Sequence, residues 1–345
     1  MFITGAAGYI GGMLVEQLSE REDVKEIICL DKEIPSENLR NTPKTLWFNS
    51  NTSDDDWRRD IRAREPDTII HCAWQIRELY GKRKKQWRLN VEGSKNIFDF
   101  AFSLPSVQKI IYTSTASSYG AFKGNTLDYK FSEEDNFREK EYLYGFEKKV
   151  VEETLEDFYK KGKESKESNN LEVFVLRLGS VTGPRGRSYT SKFGLMPALG
   201  KRLPKGIVYR LISIMVTFIP ATPKWCRQFV HEDDVTDIIK KLSLEKNGEG
   251  YEILNVAPAG KPVLSKDLAD ILNRKRIFVP AFMIRFLFFL MRHLTKGKIT
   301  TTKGGWRFYC YPILMDGSKL MRKYGHQYKY SPREALEKYE GRYAT

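Results

Sequence analysis

The segment Thr4-Gly5-Ala6-Ala7-Gly8-Tyr9-Ile10-Gly11 decides how this chain of 345 residues folds. The apolar run Phe2-Ile3 precedes it, and the stretch Tyr9–Leu18 that follows carries its apolar residues on one helical face. The pattern therefore predicts a strand, a tight glycine turn and a helix. The N-terminus of such a helix offers backbone N–H groups and the positive end of the helix dipole, which together bind phosphate groups.

The spacing of the glycines in this segment is typical of a dinucleotide-binding turn. Gly5 permits the tight turn, Gly8 lets the backbone approach a pyrophosphate, and Gly11 lets the helix pack close to the strand. Twenty residues after Gly11, Asp31 ends the second apolar run. A carboxylate there would accept hydrogen bonds from the adenosine ribose and repel a 2′-phosphate, so we predict NAD rather than NADP. Lys32 follows directly and is a further candidate contact.

Short apolar runs alternate with helical stretches through the first half of the chain. This rhythm predicts an α/β fold with a doubly wound parallel sheet of the Rossmann type. We assign residues 1–180 to the dinucleotide domain, with a strand returning around 227–240, and residues 181–345 mainly to a smaller C-terminal α/β substrate lobe. Lys160–Asn170 is polar and predicts a surface loop. The further predicted elements are strands at Phe229–His231 and Tyr251–Leu254, and helices that begin at the N-caps Ser265 and Ser331.

Composition excludes several classes of function. The net charge of +14 is spread along the chain, and no nucleic-acid-binding motif is present. Four dispersed cysteines and four histidines form no ligand cluster, so we expect no metal, reduced thiols and a cytoplasmic location. No apolar run is long enough to span a bilayer. Segments 207–221 and 277–294 are unusually apolar, however, and predict a lobe core, a lid, or an amphipathic surface that rests peripherally on a membrane.

A second group of residues suggests catalysis. Tyr144 and Lys148 are spaced i, i+4 on a predicted helix and therefore share one face. A nearby ammonium stabilises a phenolate, so Tyr144 could act as the general base on a substrate hydroxyl. Thr115 follows the apolar strand Ile110–Thr113, at the carboxyl edge where α/β enzymes place their ligands. It could hydrogen-bond the oxygen that Tyr144 deprotonates.

These motifs together resemble the NAD-dependent epimerase/dehydratase group of extended short-chain dehydrogenases/reductases, which includes UDP-galactose 4-epimerase. The resemblance extends over nearly the whole chain, and its further motifs are His71-Cys72-Ala73, Asn90–Ser94, Thr113–Gly120, Val181–Pro184, Arg227–His231 and Asp316–Lys319. It implies a homodimer and a small-molecule substrate. It also implies NAD contacts from Gly5, Gly8, Tyr9, Ile10, Gly11, Asp31, Lys32, Asn51, Thr52, Cys72, Ala73, Asn90, Tyr144 and Lys148, catalysis by Thr115, Tyr144 and Lys148, and substrate contacts from Trp74, Thr115, Ser180 and Arg227.

Departures from the family pattern leave the substrate open. Dehydratases of the group carry acidic residues after the catalytic Thr, whereas this chain has Thr115-Ala116-Ser117, which disfavours dehydration. Ser180 stands where the epimerase has an Asn that contacts the nucleotide sugar, and Arg227 is the remaining candidate phosphate ligand. The leading hypothesis is an NAD-dependent epimerase or dehydrogenase acting on a secondary alcohol of a nucleotide sugar. The alternatives are a hydroxysteroid- or isoprenoid-type dehydrogenase and a non-catalytic dinucleotide-binding protein.

Overall fold

The computed structural model describes residues 1–164, 171–186, 218–246, 250–297 and 301–344. Its centre is a seven-stranded sheet in which every neighbouring pair of strands is parallel. The strands are β1 (Phe2–Thr4), β2 (Ile27–Asp31), β3 (Thr45–Asn49), β4 (Thr68–His71), β5 (Lys109–Thr115), β6 (Glu172–Leu178) and β11 (Gly250–Val256), in the spatial order β11-β6-β5-β4-β1-β2-β3. This order confirms the predicted doubly wound Rossmann-type fold.

Helices cover both faces of this sheet. On one face lie α1 (Tyr9–Ser19) and α7 (Glu232–Leu244), whose apolar residues share a core with strands β1, β5 and β6. On the other face lie α5 (Gly93–Phe102) and α6 (Leu143–Glu164), which bury a second core that includes Trp57 and Phe100. The remaining helices of the first half are α2 (Glu37–Arg40), α3 (Arg58–Arg62) and α4 (Arg83–Trp87).

The second half of the chain adds short pairs of strands and several helices. The pairs are β7 (Ser180–Thr182) with β10 (Phe229–His231), β9 (Cys226–Arg227) with β12 (Val263–Leu264), and β8 (Phe218–Ala221) with β13 (Lys275–Phe278). The helices are α8 (Ser265–Ile271), α9 (Ala281–Leu294), α10 (Ser318–Tyr324) and α11 (Pro332–Glu337). None of the helices in the described ranges is long and apolar enough to cross a bilayer.

Three sequence predictions about this fold need correction. The loop predicted for 160–170 is wrong for residues 160–164, which belong to α6, with an ion pair of 2.6 Å between Glu156 and Lys160; residues 165–170 lie outside the described part. Ser265 is the first residue of its helix rather than the N-cap, and its hydroxyl accepts a hydrogen bond from Arg276 at 3.2 Å. The strand predicted to return around 227–240 is present as β10, but it pairs with β7 and leads into α7, whereas the strand that joins the main sheet is β11.

The structure confirms the N-cap at Ser331, whose hydroxyl accepts from the backbone N–H of Glu334. Of the two apolar segments singled out in the sequence, 277–294 is described and forms the end of β13 together with α9. The other, 207–221, lies outside the described residues except for β8.

Candidate active site

The glycine turn between β1 and α1 is closely packed where the sequence has glycine. Gly5 has a φ of +70°, and a Cβ atom there would lie 2.6 Å from the backbone nitrogen of Ala73. At Gly11, a Cβ atom would lie 2.1 Å from the carbonyl oxygen of Gly5. Gly8 is exposed at the N-cap of α1 and supplies no side-chain cap. The turn therefore leaves the helix N-terminus open to a ligand, as phosphate binding requires.

Asp31 lies beside this turn at the end of β2. Its carboxylate accepts hydrogen bonds of 2.9 Å from the backbone N–H groups of Ala7 and Glu33. Burial nevertheless raises the pKa of Asp31 above its usual value, because desolvation outweighs these two hydrogen bonds. The neighbouring Lys32 amine donates to the side-chain oxygen of Gln75 at 2.7 Å, so it reaches toward the loop after β4.

Thr115 and Tyr144 meet at the carboxyl end of β5. The Thr115 side chain is close enough to the Tyr144 phenol to affect its pKa, and its hydroxyl accepts from the backbone N–H of Ser117 at 3.1 Å. The short 3₁₀ turn Ala116–Tyr119 follows β5 and carries Ser117. The structure thus brings together the two hydroxyl residues that the sequence selected from separate segments.

Close packing fixes the start of α6 and therefore the position of Tyr144. A Cβ atom at Gly145 would lie 2.8 Å from the carbonyl oxygen of Ser117, and the Ser118 hydroxyl donates to the Gly145 carbonyl at 2.8 Å. The buried Glu139 carboxylate accepts from the backbone N–H groups of residues 140–142 at 2.8–3.0 Å. Sequence reasoning missed Glu139, although an acidic residue just before a helix is a recognisable signal.

Lys148 is almost completely buried one turn further along α6. Its ammonium group donates to the Thr113 carbonyl and lies 3.9 Å from the ring centroid of Trp74 and 4.6 Å from that of Tyr112. Burial lowers the pKa of Lys148 to about 7. Burial also raises the pKa of the Tyr144 phenol, although its hydrogen bond with Thr115 opposes this. Desolvation therefore dominates both groups, whereas sequence reasoning considered only the attraction between their charges.

The lowered pKa of Lys148 predicts a specific effect of pH on stability. An unfolded lysine keeps its proton up to about pH 10.4, whereas folded Lys148 loses it above about pH 7. This site therefore adds stability as the pH rises from 7 toward 10, and that contribution is absent below pH 7. In protein stripped of cofactor at pH 6, we expect Lys148→Met to stabilise the fold by about 1–3 kcal/mol, since the loss of a donor to Thr113 offsets part of the gain.

Thermal unfolding at pH 6 and pH 9 measures this effect, and the advantage of the variant should shrink at the higher pH. Lys149→Met is the matched control, because the Lys149 amine lies at the surface in an ion pair with Glu153. Equal pH dependence in the wild type and in Lys148→Met would contradict the prediction.

Trp74 links the glycine turn to the pair of hydroxyl residues. It follows Ala73, which packs against Gly5, and its ring makes an edge contact with Tyr144 at 6.3 Å between centroids. Among the described residues, its indole nitrogen is buried without a hydrogen-bond partner. The adjoining Cys72 is partly buried, and burial raises its thiol pKa to about 12.

Three predicted cofactor contacts are engaged by the protein itself. Asn90 is buried, accepts from the backbone N–H of Gln75 at 2.7 Å and donates to Glu147 at 2.7 Å. Asn51 donates to Asp54 at 3.2 Å, and Thr52 is buried beneath the backbone of α5. Asn90 lies in a π-helical turn, Arg88–Glu92, inserted between α4 and α5. Sequence reasoning missed both this turn and Glu147, whose partners come from a distant part of the chain.

A cavity opens beside Thr115, and none of the glycine-turn residues lines it. Its lining includes the predicted substrate residues Ser180 and Arg227, and it continues to a 3₁₀ turn, Gly305–Tyr309. Arg227 donates to the Phe308 carbonyl at 3.2 Å. The lining comprises Thr115, Ala116, Ser117, Leu178, Gly179, Ser180, Cys226, Arg227, Gln228, Phe308, Tyr311, Ile313 and Met315. In the described ranges, no group of three or more His, Cys, Asp or Glu side chains could hold a metal ion.

Comparisons with known proteins agree with this fold. An uncharacterised protein of Mycobacterium tuberculosis is 22% identical over 343 residues, which are 98% of this chain and 82% of that protein. The UDP-glucose 4-epimerase of Thermotoga maritima, solved with UDP-glucose, superposes with a TM-score of 0.66 at 21% identity, covering 97% of this chain and 96% of the other. The UDP-glucuronic acid 4-epimerase of Bacillus cereus, solved with UDP-glucuronic acid and NAD, gives 0.66 at 19% identity, covering 97% and 96%.

These similarities at low sequence identity establish the fold, and a match to a family model identifies the family. The model described as the NAD dependent epimerase/dehydratase family matches residues 1–257. This range includes the glycine turn, Thr115, Tyr144, Lys148 and Arg227, and it ends just after the last strand of the main sheet. The chain belongs to the NAD-dependent epimerase/dehydratase family.

Proposed function

We propose that this protein is an NAD-dependent enzyme that oxidises and re-reduces a secondary alcohol of a nucleotide sugar. The convergence of Thr115, Tyr144 and Lys148 at the carboxyl edge of the sheet carries the proposal. The residues around the turn fit the cofactor, since Gly8 is open at a helix N-terminus and Asp31 lies where it would receive the ribose hydroxyls. When bound, NAD supplies the hydride acceptor and a positive charge close to the reacting atoms.

Side chains of the protein accept and return the proton of the substrate hydroxyl. In oxidation, the alcohol C–H bond breaks as hydride leaves, and Tyr144 takes the proton of the alcohol O–H as the C=O bond forms. The Thr115 hydroxyl, which lies beside Tyr144, would hydrogen-bond the same oxygen and orient it. Lys148 in its charged form stabilises the phenolate that starts this step. When the carbonyl is reduced again, Tyr144 would return its proton to the carbonyl oxygen, and inversion of the carbon would require the carbonyl to present its opposite face to the cofactor.

Two structurally similar epimerases and the lining of the cavity support a nucleotide sugar as substrate. The two solved epimerases described above bind UDP-glucose and UDP-glucuronic acid. Ser180 and Arg227 face the cavity beside Thr115, and Arg227 is a charge that could pair with a diphosphate. The sequence Thr115-Ala116-Ser117 supplies no acid, so epimerisation or oxidation fits this site better than water elimination.

The test is to incubate the purified protein with UDP-, dTDP- and GDP-sugars and to follow their inversion or oxidation by NMR. Mass spectrometry of the denatured protein shows which dinucleotide it retains. An epimerase should keep NAD bound and release no NADH, whereas a dehydrogenase should release NADH. Failure of every nucleotide sugar to react or to shift the melting temperature would contradict the proposed substrate class.

One observation favours a second candidate, a dehydrogenase of hydroxysteroid or isoprenoid type. Leu178, Phe308, Ile313 and Met315 line the cavity with apolar surface. Release of NADH with a lipophilic secondary alcohol, and no reaction with nucleotide sugars, would favour it.

The homodimer and the cytoplasmic location stay predictions, which light scattering and cell fractionation test.

The carboxylate of Asp31 should determine the choice of dinucleotide. We expect Asp31→Asn to lower the preference for NAD over NADP about 10–100-fold, because a charged acceptor for the ribose and its repulsion of a 2′-phosphate are both lost. Titration calorimetry with each dinucleotide measures the ratio. Glu33→Gln is the matched control, since Glu33 is an exposed acid in the same turn. An unchanged ratio in Asp31→Asn would contradict this role.

A further inference from the structure

The helix α9 presents a large apolar face to solvent. Phe282 is 72% exposed, Phe286 and Phe289 are each 60% exposed, and Leu294 is 58% exposed. At 100° per residue these positions fall on one side of the helix. The preceding strand β13 extends the surface with Ile277 and Phe278, which is 56% exposed. We call these residues, together with Met283 and Leu290, the α9 face.

This face is held rigidly at the surface of the protein. On the opposite side of the helix, Ile284 is buried, and Phe288 contacts Tyr309 with 5.2 Å between ring centroids. Arg292 forms an ion pair with Glu78 at 2.5 Å, which ties the end of the helix to the loop after β4. The described elements therefore cover the inner side of α9 and leave the apolar outer side in water, where a patch of this kind marks an interaction site.

The segment that carries this face has a net positive charge. Residues 274–297 contain six lysine and arginine residues and no aspartate or glutamate, and the six cations are Arg274, Lys275, Arg276, Arg285, Arg292 and Lys296. Three of them lie within or just before β13 and three lie along α9 or just after it. Exposed aromatic residues in a segment with an excess of cations match the boundary between anionic headgroups and acyl chains.

We propose that the α9 face docks the protein peripherally on an anionic lipid bilayer, with α9 lying in the plane of the interface. The exposed phenylalanines would enter the acyl boundary while the flanking cations contact the headgroups. With 14 residues, α9 is too short to span a bilayer, so the contact is one-sided. A second copy of the chain is a poorer occupant, because a two-fold contact would bring the same cations of both copies together.

Flotation with lipid vesicles tests this docking directly. We expect the wild type to float with vesicles of phosphatidylcholine mixed with phosphatidylglycerol, and to bind pure phosphatidylcholine at least about tenfold more weakly. High salt should weaken the binding, since it screens the attraction to the headgroups. The variant Phe282→Ser/Phe286→Ser/Phe289→Ser should reduce binding about tenfold or more.

The matched control is Ile34→Ser/Leu127→Ser/Met321→Ser, which removes three exposed apolar residues from other surfaces and should float like the wild type. Circular dichroism melts of both variants check that they fold. Docking is contradicted if the wild type stays with the soluble fraction, if both vesicle types bind equally, or if the phenylalanine variant floats unchanged. If the wild type does not bind vesicles but forms a dimer, and only the phenylalanine variant is monomeric, the face binds a second copy instead.

Discussion

Replacing Tyr144 with phenylalanine should lower kcat by about 10²–10⁴-fold, the range that a general base contributes. The variant keeps the ring that contacts Trp74 at 6.3 Å and loses only the hydroxyl that lies beside Thr115. Because the ring packing survives, we expect the melting temperature to change little. Steady-state kinetics on the substrate identified by the nucleotide-sugar screen measures the effect, and titration calorimetry tests whether dinucleotide binding persists.

Tyr142 provides the matched control for this experiment. It lies two residues earlier, its ring contacts both Tyr144 and Phe308, and it is also partly buried. Tyr142→Phe removes a neighbouring hydroxyl and leaves Thr115 and the Tyr144 phenol intact, so its kcat should stay close to that of the wild type. Equal losses in the two variants would mean that the region needs tyrosines for packing, and full activity in Tyr144→Phe would refute its role as the base.

The second large effect is expected at Gly11. A Cβ atom there would lie 2.1 Å from the carbonyl oxygen of Gly5 and 3.0 Å from the Cα atom of Ala6, and both of these are backbone atoms that have no free rotamer. Gly11→Ala must therefore push α1 away from the turn. We expect a loss of about 1–3 kcal/mol in the free energy of unfolding, as in other overpacked cores, together with loss of dinucleotide binding. Chemical denaturation and titration calorimetry measure the two effects.

The next residue supplies a sharp contrast. A Cβ atom at Gly12 would meet the ends of the Arg185 and Leu39 side chains at 3.3 and 3.4 Å, and these ends can move. Alanine is favoured over glycine inside a helix by about 1 kcal/mol, so Gly12→Ala should be neutral or stabilising. If both variants lost stability equally, helix flexibility rather than close approach to the turn would explain the glycine at position 11.

The parts of the site that the sequence predicts are formed by residues that lie close together in the chain. Gly5, Gly8 and Gly11 lie within one turn, and Tyr144 and Lys148 lie one helical turn apart, so backbone geometry alone places them. The carboxyl edge of a parallel sheet then brings Thr115 to Tyr144. Short apolar runs that alternate with helical stretches likewise predict a doubly wound parallel sheet, but the sequence did not place β3 or β11 in that sheet.

The parts that the sequence misses depend on contacts between distant segments. Asn90 bonds Glu147 across 57 residues, and only the folded chain shows that its amide is already engaged. The burial of Lys148 under Trp74 and Tyr112 reverses the simple expectation of a permanent ammonium beside a phenol, because desolvation cannot be read from spacing. The sequence predicts a loop from Lys160, whereas residues 160–164 are helical, because a charged helical face and a polar loop have similar composition.

The path of the chain at its C-terminal end has a consequence for protein engineering. The family match ends at residue 257, yet Leu320 and Tyr324 of α10 lie in the core of the main sheet, and the Tyr328 hydroxyl receives a hydrogen bond of 3.0 Å from the Ala257 N–H. A chimera cut at that boundary would strip one face of the sheet and expose its interior. Exchange of substrate lobes between relatives must therefore replace an internal segment and retain residues 318–328 with the recipient.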